Sequence, residues 1–195
     1  MRPSGLRKTT PSLLAPLNFS RGLQLSREGT ALSENRIQSI PQSQRPNQAG
    51  MKQILFVCAG NICRSPTVEY MLKHKLAGNK PNITVHSAGL GALVDKPIDE
   101  SAAALLSEHD INPDGHSARQ LTREMLTQAD LILTMEQRHI RDINKMAPQV
   151  GGKTFLLGKW SQNQEVPDPY RKSREAFEHV YELMDTFTDD WMKYL

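Results

Sequence analysis

Ile54-Leu55-Phe56-Val57-Cys58-Ala59-Gly60-Asn61-Ile62-Cys63-Arg64-Ser65-Pro66 joins an apolar run of strand length, a short polar loop and the start of a helix. Ile54 to Val57 has the length and the β-branched and aromatic content of a buried parallel strand. Ser65 reads as a helix cap, with Pro66 in the first helical position, where proline's missing N–H is not needed. Strand, loop and helix start in that order predict a turn of backbone N–H groups at the positive end of a helix, a ready anion site. Arg64 adds a planar guanidinium whose fork matches two phosphate oxygens. The same field favours thiolate over thiol at Cys58: cysteines so placed titrate roughly one to five pH units below a free thiol, so Cys58 is expected to be ionised at neutral pH. Gly60 permits unusual backbone angles, and the Asn61 side chain can brace the loop. Ala59, Gly60, Asn61, Ile62, Cys63, Arg64 and Ser65 therefore form a candidate phosphate-binding loop next to a candidate nucleophile.

A nucleotide-binding phosphate loop would need Gly-Lys-Ser or Gly-Lys-Thr, and neither follows. Cys58 and Cys63 are the only two cysteines, no further Cys or His pair stands at ligand spacing, and the six histidines are scattered. No metal site and no cofactor are expected. With both cysteines in one loop, there is no disulfide framework to indicate an oxidising compartment.

The 195 residues suffice for one domain with a full core, but the two ends of the chain differ in composition. Residues 1–50 hold seven Lys or Arg against Glu28 and Glu34, a net of about +5, so against the chain's +3 the remainder carries about −2. The basic character belongs to residues 1–50, and no basic and aromatic interleaving follows them, which argues against a nucleic-acid partner. Residues 1–50 are rich in Ser, Pro, Gln, Asn and Arg and lack a sustained period of two or 3.6. Three readings of them stand: an over-extended start ahead of a true initiator at Met51, a disordered tail, or a targeting peptide, which the Arg- and Ser-rich, acid-poor composition also fits. Leu13 to Leu17 is too short for a secretory core, and no stretch nears the roughly twenty apolar residues of a membrane span. Residues 51–195 are read as a cytoplasmic catalytic domain without membrane insertion.

From Lys52 onward strand and helix patterns alternate, which predicts a parallel sheet covered by helices on both faces. Strands are expected at Gln53–Val57, Ile83–His86, Leu131–Thr134 and Thr154–Leu157, and helices near Pro66–Ala77, Asp99–Glu108, Arg123–Gln128, Gln137–Met146 and Ser173–Tyr194. In the last helix Phe177, Val180, Met184, Phe187 and Trp191 fall at steps of three and four, an apolar stripe for the sheet rather than a ligand site. Ligands of open parallel sheets sit beyond the carboxyl ends of the strands, and Cys58 closes the first one.

Together with Val166-Pro167-Asp168-Pro169-Tyr170 near the other end, this loop resembles that of the low-molecular-weight protein tyrosine phosphatases, in which the nucleophile loop opens the domain and a general acid arrives late in an Asp-Pro-aromatic motif. The likeness runs from about Lys52 to the C-terminus. Ser87-Ala88-Gly89-Leu90-Gly91-Ala92-Leu93, His116-Ser117-Ala118-Arg119-Gln120 and Asp130-Leu131-Ile132-Leu133-Thr134-Met135 are similar to the bacterial branch paired with tyrosine autokinases of capsule and exopolysaccharide export. The resemblance implies a four-stranded, flavodoxin-like α/β fold, phosphotyrosyl proteins as substrates, and as partner the cytosolic domain of a membrane tyrosine autokinase.

Expelling tyrosine from a phosphate ester releases a phenolate of pKa about 10, so an acid placed at the leaving oxygen lowers the barrier. Asp168 is the candidate, since Pro167 and Pro169 restrict the backbone that carries it. Ser65 can cap the helix and also donate a hydrogen bond to Cys58. The family pattern implies supporting roles for Asn61 and Ser87, for which plain turn chemistry is the alternative. Tyr170 is expected to wall a slot for the substrate ring. Leu93 stands where many family members carry an aromatic residue, which makes the rim less aromatic. His116 reads as a packing or capping residue, because a thiolate needs no base. Two rivals share the loop. Arsenate reductases relay oxidation through further cysteines, and none exists beyond Cys63; a phosphotyrosine-binding or redox-sensing module has no use for Asp168.

Cys63 lies in the same loop as Cys58 and is a candidate redox partner: peroxide would convert Cys58 to a sulfenic acid, and condensation with the Cys63 thiol would give a disulfide and water, sparing the nucleophile from irreversible oxidation. On this reading Cys63→Ser recovers less activity than the parent after peroxide followed by thiol. Equal recovery in the two proteins refutes it.

Overall fold

The computed structural model describes residues 53–80 and 82–195, so the readings of residues 1–50 lie outside the described residues. Strand β1 (Gln53–Cys58) is followed by helix α1 (Arg64–Leu76), β2 (Thr84–Gly89), α2 (Glu100–Glu108), α3 (Arg123–Gln128), β3 (Leu131–Thr134), α4 (Gln137–Met146), a 3-10 turn (Pro148–Lys153), β4 (Thr154–Leu156) and α5 (Arg174–Met192). The strands form one parallel sheet in the order β2-β1-β3-β4. The chain leaves β1 to one side for β2 and returns on the other side for β3, so the order reverses at β1 and opens a crevice beyond its carboxyl end. Cys58 sits there, paired with Gly89 of β2.

Both faces of the sheet are covered, which explains why β1 reads as an unbroken apolar run. Ile54 and Phe56 pack with Val68, Met71 and Leu72 of α1 and with the stripe of α5. Leu55 and Val57 point the other way, against Leu126 of α3 and Ile143 of α4. In α5 the predicted residues Phe177, Val180, Met184, Phe187 and Trp191 are all buried, and Trp191 ties its indole N–H to Leu157 O at 2.7 Å.

Several element boundaries differ from expectation. Strand β2 runs on to Gly89, placing Ser87 inside the strand, where it pairs with Phe56, and β4 stops at Leu156. Helix α1 begins at Arg64, with Cys63 in the cap position and no side chain capping it. Ser65 is therefore not a cap: its hydroxyl is engaged by Cys58 and Asn61 instead. Pro66 still falls in the first turn, where its missing N–H breaks no helical bond. Helix α2 follows the cap rule: the Asp99 side chain accepts from the Ser101 and Ala102 amides.

Phe187 fills the space over Gly158, where an added β-carbon would lie 2.9 Å from the ring. Phe187→Ala is expected to cost ~3–5 kcal/mol of unfolding free energy, read from urea titration, because the rigid sheet beneath cannot close the void.

Candidate active site

The loop after β1 is held from outside by its own carbonyls. Those of Cys58, Ala59, Gly60 and Ile62 accept hydrogen bonds from the amides of Leu90, Gly91, Leu93 and Asp99. In a trans peptide the following N–H points the opposite way, so the amides of Ala59, Gly60, Asn61 and Cys63 are turned into the loop. Asn61 N–H lies 3.3 Å from Cys58 Sγ. Asn61 takes a left-handed backbone, φ 55°, which asparagine tolerates better than most residues.

The fully buried Asn61 side chain organises the rest. Its Oδ1 accepts from the Arg119 backbone N–H at 2.9 Å, and its Nδ2 donates to Ser65 Oγ and Ser87 Oγ, each at 2.9 Å. Ser65 Oγ is 2.9 Å from Cys58 Sγ. Asn61, Ser65 and Ser87, the three residues expected to support the loop, are thus joined by side-chain hydrogen bonds. His116 Nε2 donates to Asn61 O at 2.7 Å, a bracing contact away from the sulfur.

Arg64 is 2% exposed and tied on two sides. Its Nη1 donates to Glu136 Oε1 at 2.5 Å and to Val166 O at 2.9 Å, while Nη2 donates to Asp168 Oδ2 at 2.7 Å. Its Nε is buried without a hydrogen-bond partner among the described residues. Val166 is pinned a second time, through its own N–H on Met135 O at 2.8 Å. Two residues on, the 42% exposed Asp168 reaches Arg64, and its Oδ1 accepts the Tyr170 N–H at 3.1 Å. Cys58, Ala59, Gly60, Ile62, Cys63, Arg64, Gly91, Leu93, Asp168 and Tyr170 enclose a cavity of about 220 Å³. Sulfur and guanidinium thus share one chamber with a carboxyl group, and Ile62, Leu93 and Tyr170 supply apolar surface. Among the described residues no group of three or more His, Cys, Asp or Glu side chains is placed to hold a metal ion.

Glu136 escaped the sequence reading, although it stands directly beyond β3, where a parallel sheet places functional groups, and a buried arginine requires a carboxylate partner. Burial opposes its charge, but hydrogen bonds from Arg138 and Arg64 outweigh burial and hold the carboxyl down at about 2. Arg138 grips it with Nε on Oε2 at 2.7 Å and Nη2 on Oε1 at 2.9 Å. One turn further, His139 is 2% exposed, its ring nitrogens have no hydrogen-bond partner among the described residues, and Nε2 is 3.7 Å from Glu136 Oε1. Burial pushes the imidazole down to about 4 against the pull of Glu136, with Arg64 and Arg138 adding to the depression. Cys63 is buried too, and burial first, then the proximity of Cys58 and Asp99, pushes its thiol well up.

The sequence model of the low molecular weight phosphotyrosine protein phosphatase family matches residues 53–195. The chain belongs to that family. The phosphatase is 49% identical over 143 residues to the low molecular weight protein-tyrosine-phosphatase Wzb of Salmonella typhimurium, covering 73% of this chain and 93% of Wzb. It is 46% identical over 148 residues to the phosphatase Etp of Escherichia coli, covering 76% and 97% of the two chains. The solved Vibrio vulnificus Wzb in complex with benzylphosphonate superposes with a TM-score of 0.70 at 44% identity, covering 75% of this phosphatase and all of that chain. The protein is an enzyme, a protein tyrosine phosphatase acting on phosphotyrosyl proteins.

Its site makes the fold acid-sensitive in two adjoining windows. As pH falls from 6.5 towards 4 the unfolded chain takes up a proton that buried His139 refuses, and from 4.5 towards 2 the same holds for Glu136, so each step lowers stability. His139→Leu removes two unpartnered buried nitrogens along with the first titration. It is expected to match or exceed the parent's melting temperature at pH 7 and to lose less of it between pH 6.5 and 4.5, measured by thermal scans across pH.

Proposed function

We propose that Cys58, Arg64 and Asp168 carry out phosphotyrosine hydrolysis through a cysteinyl-phosphate intermediate. The observation that supports this most directly is that Cys58 Sγ, the Arg64 fork and the Asp168 carboxyl open into one cavity beneath an inward-facing ring of amides. The substrate dianion takes the loop amides together with Nε and Nη2 of Arg64, displacing Asp168 from Nη2. Arg64 keeps its seat meanwhile, because Nη1 stays on Glu136 and Val166. Once released from Arg64, Asp168 takes up a proton from solvent; the Cys58 thiolate then attacks phosphorus, the bond to the tyrosyl oxygen breaks, and Asp168 passes that proton to the leaving oxygen. Water then attacks the phosphocysteine and loses its proton to Asp168, the P–S bond breaks, and the electron pair returns to sulfur. The loop amides and Arg64 stabilise the equatorial oxygens in both steps.

The apolar walls Ile62, Leu93 and Tyr170 suit an aryl ring on the phosphate. Phosphoserine, whose phosphate sits on a shorter arm, leaves those walls empty. We take residues 51–195 as the catalytic unit, with residues 1–50 outside it. The physiological substrate is proposed to be a tyrosine autokinase phosphorylated on its cytosolic side, and the outcome of dephosphorylation to be control of capsule or exopolysaccharide production in the cytoplasm. The names of the relatives and the bacterial-branch motifs support that reading. No helix among the described residues is long and apolar enough to cross a membrane. Cys63 remains the proposed redox partner of Cys58, and its raised thiol makes disulfide closure slow at neutral pH.

Steady-state hydrolysis of a phosphotyrosine and a phosphoserine peptide, without added metal, tests the assignment. Turnover should be confined to phosphotyrosine, lost in Cys58→Ser and reduced ~10²–10⁴-fold in Asp168→Asn. A reduced parent that turns over neither peptide but reduces arsenate, or binds phosphopeptide tightly, refutes it in favour of the corresponding rival.

A further inference from the structure

On the face of the sheet that packs against α3 and α4, the cover is incomplete. Helix α3 is only six residues long, and beside it lies a cleft of about 140 Å³ over the paired residues Leu55 of β1 and His86 of β2. Buried Leu55 and Ala129, with half-buried Met125, give the cleft an apolar wall, and the exposed Gln53 and Gln128 stand where it meets solvent. Gln53 opens the strand that Cys58 closes, so the cleft lies at the far end of β1 from the sulfur. The wall is fixed: Lys153 Nζ donates to Thr127 O at 2.9 Å and to Ala129 O, pinning the last turn of α3. Space on this scale holds a body of about the size of a benzene ring.

Two polar side chains border that apolar wall. Arg119 donates Nε to Ser87 O at 2.8 Å, which orients its guanidinium, and neither Nη has a hydrogen-bond or ion-pair partner among the described residues. His86 lies beside it. Burial lowers the His86 imidazole, Arg119 and Lys73 add to that and Glu69 opposes it, so the ring is neutral at pH 7. No Asp or Glu lines the cleft among the described residues, which leaves Arg119 as its charged group.

We propose that this cleft is a second ligand site, separate from the phosphate loop, for a small carboxylic acid with a compact apolar body. The carboxylate takes the open Nη fork of Arg119, whose planar geometry matches two carboxylate oxygens, and the body lies against Leu55, Met125 and Ala129. An apolar recess with one charged group at its side selects a ligand divided in the same way, because a bare anion gains nothing from the wall and a neutral ring nothing from the fork. None of the residues lining the cleft lines the cavity at Cys58, so the inference stands whether or not the catalytic assignment holds.

Benzoate is a suitable probe, followed by 15N–1H correlation spectra of the full chain. Saturable shifts are expected at the amides of Leu55, Arg119, Gln128 and Ala129 with a Kd of about 1 mM, and the neighbouring carboxylate should raise the pH at which His86 titrates. Benzamide, equal in shape but uncharged, should bind about tenfold more weakly, and inorganic phosphate should move the loop amides without moving those of the cleft. Arg119→Gln is expected to weaken benzoate about tenfold or more, and Gln128→Glu, an exposed change that sets a like charge at the mouth, roughly threefold. Should Arg119→Gln fail to fold, Gln128→Glu and benzamide decide the matter. The absence of saturable shifts in the cleft, shifts confined to the phosphate loop, benzamide or phosphate acting there as well as benzoate, or indifference of benzoate binding to the two substitutions overturns the proposal.

Discussion

A guanidinium with almost no access to water is the constraint around which this domain is arranged. Removing a charge from solvent costs several kcal/mol unless it is paired and hydrogen-bonded. Arg64 meets that condition with three different parts of the chain: Glu136 beyond β3, the Val166 carbonyl, and Asp168. The start of α1, the edge of the sheet and the late acid-bearing loop are thus fastened at one side chain. It ties the Asp168 segment to a loop more than a hundred residues earlier in sequence.

The two carboxylates on Arg64 are not equivalent, and the difference comes from their other partners. Glu136 is gripped from behind by Arg138 through both oxygens and lies largely buried. Asp168 holds Arg64 through one oxygen, is half open to solvent and is flanked by prolines that keep its backbone from refolding around the arginine. In the proposed reaction an arriving dianion competes with both and dislodges the weaker. Two residues of similar chemistry, 2.5 and 2.7 Å from the same side chain, are thereby sorted into an anchor and an exchangeable contact.

Much of this was legible in the sequence because the signals are local. An apolar run before a polar loop announces β1, the three-and-four spacing of Phe177 to Trp191 gives α5, and Cys58, Arg64 and Asp168 lie within short motifs. The first helical residue was misplaced because Ser65-Pro66 has the local chemistry of a cap, whereas tertiary partners claim the serine hydroxyl. Glu136 was not found, for a related reason. It is an ordinary acid within a charged stretch, and its meaning depends on the guanidinium that lies opposite once the sheet has formed. Sequence periodicity reports which face of an element is apolar, not which polar group a buried carboxylate will meet.

The double pinning of Val166, by its amide on Met135 and its carbonyl on Arg64, bears on how the product leaves. Asp168 lies only two positions from that fixed point, a tether of roughly 7 Å at full extension, and proline on each side of Asp168 stiffens it further. Such a short lever cannot swing clear of the chamber as a hinged flap would. Leu93 and Tyr170, exposed at the rim of that chamber, flank the way out for the tyrosyl product of the proposed reaction, which points to side chains at a doorway in place of a gate.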